Sequence, residues 1–105
     1  KSDLTTTNLT TVYTVPSATT AIIKSILVSD DSGSGTTIDV TLVDASSNIF
    51  SLFKAKAVGA NTTVELLTQP LILKESEALK VQAADANELH VVASILEVKP
   101  REVVT

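Results

Sequence analysis

Short runs of β-branched and aliphatic residues, each closed by turn-forming residues after about ten positions, constrain the fold of this chain more than any other feature. In the run 37–43, isoleucine, valine and leucine at every second position alternate with threonine and aspartate, which is the two-residue period of a half-buried strand. A helical period is not sustained, apart from one turn expected at 83–87. The chain is therefore predicted to be all-β.

The sequence predicts about eight strands. They are assigned to residues 9–15, 21–29, 37–43, 49–55, 62–67, 71–74, 79–83 and 89–98. A turn is expected at 30–35, where Gly33 and Gly35 permit positive φ. Eight short strands in 105 residues predict one antiparallel two-sheet β-sandwich, either Ig-like or jelly-roll-like, with extended arms at 1–8 and 99–105.

Composition argues against several classes of partner. There is no cysteine, so neither a disulfide framework nor a thiolate metal site is predicted. The net charge is −4 and the eight Lys and Arg residues are scattered, so no nucleic-acid partner is expected. The longest uncharged stretch, 4–23, is rich in Thr, Ser and Asn, so no membrane span and no secretory leader is expected.

No residue pattern of an active site or a metal site is found. His90 is the only histidine and has no carboxylate or hydroxyl at motif spacing. The Asp30–Asp31 pair lacks the ligand spacing of a calcium loop, and Glu75 and Glu77 flank a turn that faces solvent. We therefore predict no catalytic, cofactor-binding or metal-binding residues, no cofactor, and no enzymatic activity.

Several predicted strands carry apolar residues on both faces, although a two-sheet sandwich buries only one face of each strand. These residues are Ile22, Ile23, Ile26, Leu27, Val28, Ile49, Phe50, Leu52, Phe53, Leu66, Leu67, Leu71, Ile72, Leu73, Val91, Val92, Ile95, Leu96 and Val98. Burying about 600 Å² of the surplus would contribute about 15 kcal/mol before the cost of association. The pattern predicts a homo-oligomer, and we expect a trimer; the alternative is a bulge that shifts the register.

Four segments together resemble small virion structural proteins of tailed bacteriophages. They are TVYTVPSATTAIIKSILVS at 11–29, ELLTQPLIL at 65–73, LKVQAA at 79–84 and LHVVASILE at 89–97. These segments consist of strand and turn residues and not of active-site motifs. The resemblance therefore assigns no functional residue to this chain. One departure is Ser76, at a turn position where the resembled proteins have glycine.

The resemblance implies a multi-copy component of the virion, made in the host cytoplasm, that decorates or cements the capsid. Its partners would be further copies of itself and a major capsid or tail protein. The alternative is a tail or baseplate accessory protein with a carbohydrate- or receptor-binding role, for which Tyr13 is the one amphipathic aromatic residue. Val103 and Val104 are apolar, and we expect the C-terminal arm to pack on another chain or on the domain.

Overall fold

The computed structural model describes residues 1–99, which form nine strands in two antiparallel sheets. This confirms the predicted all-β sandwich. The strands are β1 (Ser2–Leu4), β2 (Thr10–Thr14), β3 (Thr20–Asp30), β4 (Thr36–Val43), β5 (Ile49–Val58), β6 (Thr63–Glu65), β7 (Leu71–Leu73), β8 (Ala78–Ala83) and β9 (Leu89–Val98).

The order of the strands distinguishes between the two topologies left open by the sequence. Sheet A has the order β1-β9-β3, followed at the far edge of β3 by β6 and β7, which pair with different parts of β3. Sheet B has the order β2-β8-β4-β5. With β6 and β7 counted as one interrupted strand, each sheet has four strands. Consecutive strands then lie in opposite sheets except β4 and β5, which is the jelly-roll order.

The core lies between the two sheets and consists of aliphatic side chains from both. In sheet A, the inward residues of β3 include Ile23, Ile26 and Val28, all 0% exposed. In sheet B, Leu79 and Val81 of β8 are likewise 0% exposed, because they pack in the core against sheet A and β8 lies between β2 and β4. The β-branched and aliphatic composition thus produces a core without aromatic residues at its centre.

The two predicted arms lie at opposite ends of the chain. Residues 1–8 contain β1, which pairs with the start of β9 and buries Leu4 to 1% exposure. The arm at 99–105 lies outside the described residues except for Lys99. The helical turn expected at 83–87 is wrong: turns and bends follow Ala83 there instead.

In two turns, the backbone conformation explains which residues are found there. Gly33 and Gly35 have φ of 82° and 69°, the left-handed conformation for which glycine was predicted. Ser76 has φ of 68°, and the Glu77 N–H donates to the Lys74 carbonyl at 3.0 Å. The turn at 74–77 is therefore of type II, with serine at the position that favours glycine.

Candidate contact surfaces

The outward side of sheet A carries aliphatic residues on adjacent strands. We call this surface the sheet A face; it comprises Ile22, Leu27, Ile72, Val92, Leu96 and Val98. In the register of the sheet, Ile22 lies between Leu96 on β9 and Ile72 on β7, and Leu27 lies beside Val92. Leu96 and Val92 are each 46% exposed and Ile72 is 64% exposed. The described fold leaves this surface accessible.

A bulge in β3 explains part of the two-faced sequence pattern. The pairing of β3 with β9 shifts between Ile23 and Ser25, which leaves Lys24 without a partner. Because of this extra residue, Ile23 and Ile26 both point into the core although they are three positions apart. The bulge does not account for Leu27, which is 38% exposed, so outward apolar residues remain.

Polar residues interrupt and border the sheet A face. Ser25 pairs with Ser94 between the two apolar rows, and the Ser25 hydroxyl donates to Glu65 Oε2 at 2.8 Å. At one end, His90 Nε2 lies 3.2 Å from Asp3 Oδ1. An apolar centre with a polar border is the usual composition of a protein–protein contact surface.

The Asp3–His90 contact supplies a carboxylate partner that the sequence spacing did not suggest, because the two residues meet only through the pairing of β1 with β9. Ser29 is the register neighbour of His90 on the other side, in β3. Within residues 1–99, no side-chain hydrogen bond joins Ser29 to His90, and the three residues lie on an open sheet surface. The arrangement orients the imidazole and provides no enclosed substrate site.

A second apolar surface lies on β5, the edge strand of sheet B. Ile49 is 68% exposed, Phe50 50% and Leu52 36%. Phe50 pairs with Leu42 on the core-facing side, but it lies where sheet A does not cover it. The pairing of β5 with β4 is interrupted twice by bulges, on either side of Val40.

The Asp39 carboxylate holds the first of these bulges in place. Its Oδ1 accepts a hydrogen bond from the Ala55 N–H at 2.7 Å, and its Oδ2 lies 3.2 Å from Lys54 Nζ. Ala55 has φ of 51°, a conformation that alanine rarely adopts. These contacts, led by the Ala55 N–H, hold the pKa of Asp39 below its usual range.

The acidic turn residues considered as metal ligands form hydrogen bonds within their own turns. Asp30 Oδ1 accepts from the backbone N–H and hydroxyl of Ser32 at 2.8 and 2.7 Å, and the hydroxyl contact is the main cause of a lowered Asp30 pKa. Asp44 accepts from Asn48 and Ser46 in the same manner. Within residues 1–99, no three histidine or acidic side chains converge on a point where a metal ion could bind.

The paired carboxylates at the turn between β7 and β8 have separate environments. Glu77 Oε1 accepts a hydrogen bond from the Lys74 backbone N–H at 2.6 Å, whereas Glu75 is exposed. Glu77 therefore closes the turn that Ser76 forms. This is a structural role, and it does not place two carboxylates on either side of a cleft.

Tyr13 connects the two sheets. Its hydroxyl, on β2 of sheet B, donates to Glu97 Oε2 on β9 of sheet A at 2.7 Å. Burial, reinforced by the hydrogen bond to Glu97 and by its negative charge, raises the pKa of Tyr13 from about 10 to about 12. The Tyr13 hydroxyl thus forms a hydrogen bond within the domain.

Tyr13 is the only tyrosine and the chain lacks tryptophan, so a spectrophotometric titration reports this one phenol. We expect ionisation near pH 12 in the folded protein and near pH 10 after unfolding in urea. Because the folded-state pKa is raised, the contribution to stability is complete below pH 10 and is lost as the pH rises toward 12. Ionisation of the folded protein at the unfolded value would contradict the Tyr13–Glu97 contact.

Comparisons with known protein families, curated proteins and solved structures gave no match to this chain. Within the described residues, no helix is long and apolar enough to cross a membrane.

Proposed function

We propose that this protein is a non-enzymatic structural component of a tailed-bacteriophage virion. It would be a multi-copy decoration or cement protein that self-associates and docks on a major capsid or tail protein. The observation that carries the proposal is the sheet A face, an apolar outer surface that the sandwich does not need for its own core. Exposed apolar patches of several hundred Å² often mark a contact site, and a particle component requires contacts with its neighbours.

Two further considerations support a virion component. The segments at 11–29, 65–73, 79–84 and 89–97 resemble virion proteins of tailed phages. The jelly-roll order of the two sheets recurs in viral capsid proteins, which is an analogy of fold and not of function. The localisation that follows is the virion.

The alternative is a tail or baseplate accessory protein that binds a carbohydrate or a receptor. The jelly-roll order also occurs in lectins, which favours this alternative at the level of the fold. Sugar sites commonly use an exposed aromatic ring, but Tyr13 is half-buried with its hydroxyl on Glu97. Phe50, which is 50% exposed on the edge of sheet B, is the aromatic residue left for such a platform.

The decisive experiment uses particles of the phage that encodes the protein. We expect quantitative mass spectrometry of purified virions to find it in many copies. Virions that lack its gene should bind the purified protein until the same copy number is reached. Absence of the protein from purified wild-type virions would contradict the proposal. Glycan binding that is abolished by Phe50→Ala, with few copies confined to the tail, would favour the alternative.

A further inference from the structure

We propose that two copies of this protein pack through the sheet A face, about a two-fold axis that runs along the Ser25–Ser94 pair. This inference rests on the proposed self-association and adds the surface and the symmetry. In such a contact the outer faces of two β-sheets lie against each other, about 10 Å apart.

The arrangement of the face is self-complementary about this axis. On one side of the Ser25–Ser94 pair lie Leu27 and Val92, and on the other side lie Ile22 and Leu96. A two-fold rotation about the serine pair places the first apolar row of one copy on the second row of the other. The two central apolar rows then meet each other, with Glu65, the β6 neighbour of Leu27, at their border beside Ile72.

Both ends of the face carry charges of both signs. One end carries Lys1 and Asp3 beside His90, and the other end carries Lys74, Glu75 and Lys99 around Val98. The same rotation places the Asp3 end of one copy over the Lys99 end of the other, twice in the dimer. Carboxylates and lysines then lie at each border of the contact, so the border charges are compatible with this orientation.

The size of the face suits a stable dimer. Five of its six aliphatic side chains are 38–64% exposed and Ile22 is partly buried, which leaves about 450 Å² of apolar surface in water. A standard interface takes about 800 Å² from each partner, of which somewhat more than half is apolar. The sheet A face supplies this apolar share without contributions from the rest of the molecule.

The other surfaces of the sandwich are less suited to pairing with a second copy. The outer side of sheet B is polar over most of its area; it carries Thr11, Thr37, Asp39, Thr41, Ser51, Lys80 and Gln82. The edge strand β5 has two bulges and carries Lys54 and Lys56, features that hinder the addition of another strand. The proposed two-fold contact predicts a dimer, whereas the sequence led us to expect a trimer.

The test measures the mass of the full-length protein by sedimentation over a range of concentrations. We expect twice the 11.0 kDa of one chain for the wild type. Leu96→Glu should weaken the dimer by about 100-fold or more, since it places an unpaired carboxylate in the contact. Ile49→Glu, an equally polar change at a more exposed apolar residue on sheet B, should leave the dimer unchanged.

A cross-linking experiment tests the position of the two-fold axis without relying on a change in dimer affinity. The chain has no cysteine, so S94C introduces a single thiol at the proposed axis, and S51C introduces one on the outer side of sheet B as a control. A bis-maleimide that spans about 10 Å, the separation of packed sheets, should join two S94C chains and not two S51C chains. The opposite result, or a dimer that survives Leu96→Glu, would overturn the inference.

Two further outcomes would separate this inference from the proposed function. A wild-type trimer would overturn the two-fold axis, and a wild-type monomer at all concentrations would overturn the contact between copies. In either case, the protein could still be found on purified virions. Conversely, a dimer with the expected cross-link, but with no protein in purified virions, would support the inference and contradict the proposed function.

Discussion

Leu79→Ala should lower the free energy of unfolding by about 2–5 kcal/mol, the range for removing a buried leucine side chain. Leu79 is 0% exposed and lies on β8, between β2 and β4. The cavity would open at the centre of the core, where the surrounding ladders limit collapse. For a domain of this size each kcal/mol corresponds to about 4–8 °C in the melting temperature, so the variant should be markedly less stable in urea and thermal unfolding.

Leu96→Ala is the matched control for this prediction. The residue type and the change are the same, but Leu96 is 46% exposed on the sheet A face. Unfolding should be monitored at a concentration at which Leu96→Ala is monomeric, where we expect a loss below about 1 kcal/mol. If the two variants lost equal stability, the assignment of Leu79 to the core and Leu96 to the outer face would be wrong.

Asp39→Ala should cost about 1–2 kcal/mol, because it removes a charged acceptor from the Ala55 N–H and from Lys54 at a partly exposed site. The first bulge of β5 would lose the side chain that holds it. We expect faster hydrogen exchange in β5 than in β8. Asp31→Ala, a change at an exposed turn residue, should have little effect on either measurement.

The contribution of Asp39 also depends on pH in a defined direction. Its pKa is lowered in the folded protein, so the stabilisation is complete above the ordinary aspartate range near pH 4. It is lost as the pH falls through the lower folded-state pKa. The stability difference between the wild type and Asp39→Ala should therefore shrink in acid. A difference that stays constant down to pH 2 would contradict the role assigned to this carboxylate.

The sequence predicted most strands to within a few residues because alternation and turn residues are local signals. The run 89–98, for example, coincides with β9. The edge strand β1 was missed, since Leu4 is its only apolar residue and its pairing with β9 joins opposite ends of the chain. The Asp3–His90 contact was missed for the same reason.

The contact surfaces were predicted only in outline. An excess of apolar residues is visible in the sequence, but which of them face outward depends on the bulge at Lys24. That bulge leaves Ile23 and Ile26 inside and Leu27 outside. The hydrogen bonds of Asp39 and Tyr13 likewise depend on pairings between distant strands, which a single sequence does not encode as a local pattern.

The bulge at Lys24 has a consequence for how β3 and β9 find their alignment during folding. In most sheets a slip by one residue is prevented because it would turn the apolar side of a strand toward water. In the pairing of β3 with β9, apolar residues lie on both faces of the sheet, so a slip by one residue would be opposed only weakly. An extra residue at one fixed position, together with the Asp30 turn that ends β3, makes the slipped alignments distinguishable from the native one. The bulge at Lys24 thus helps to define the register of β3 and β9, the longest strand pairing in the fold.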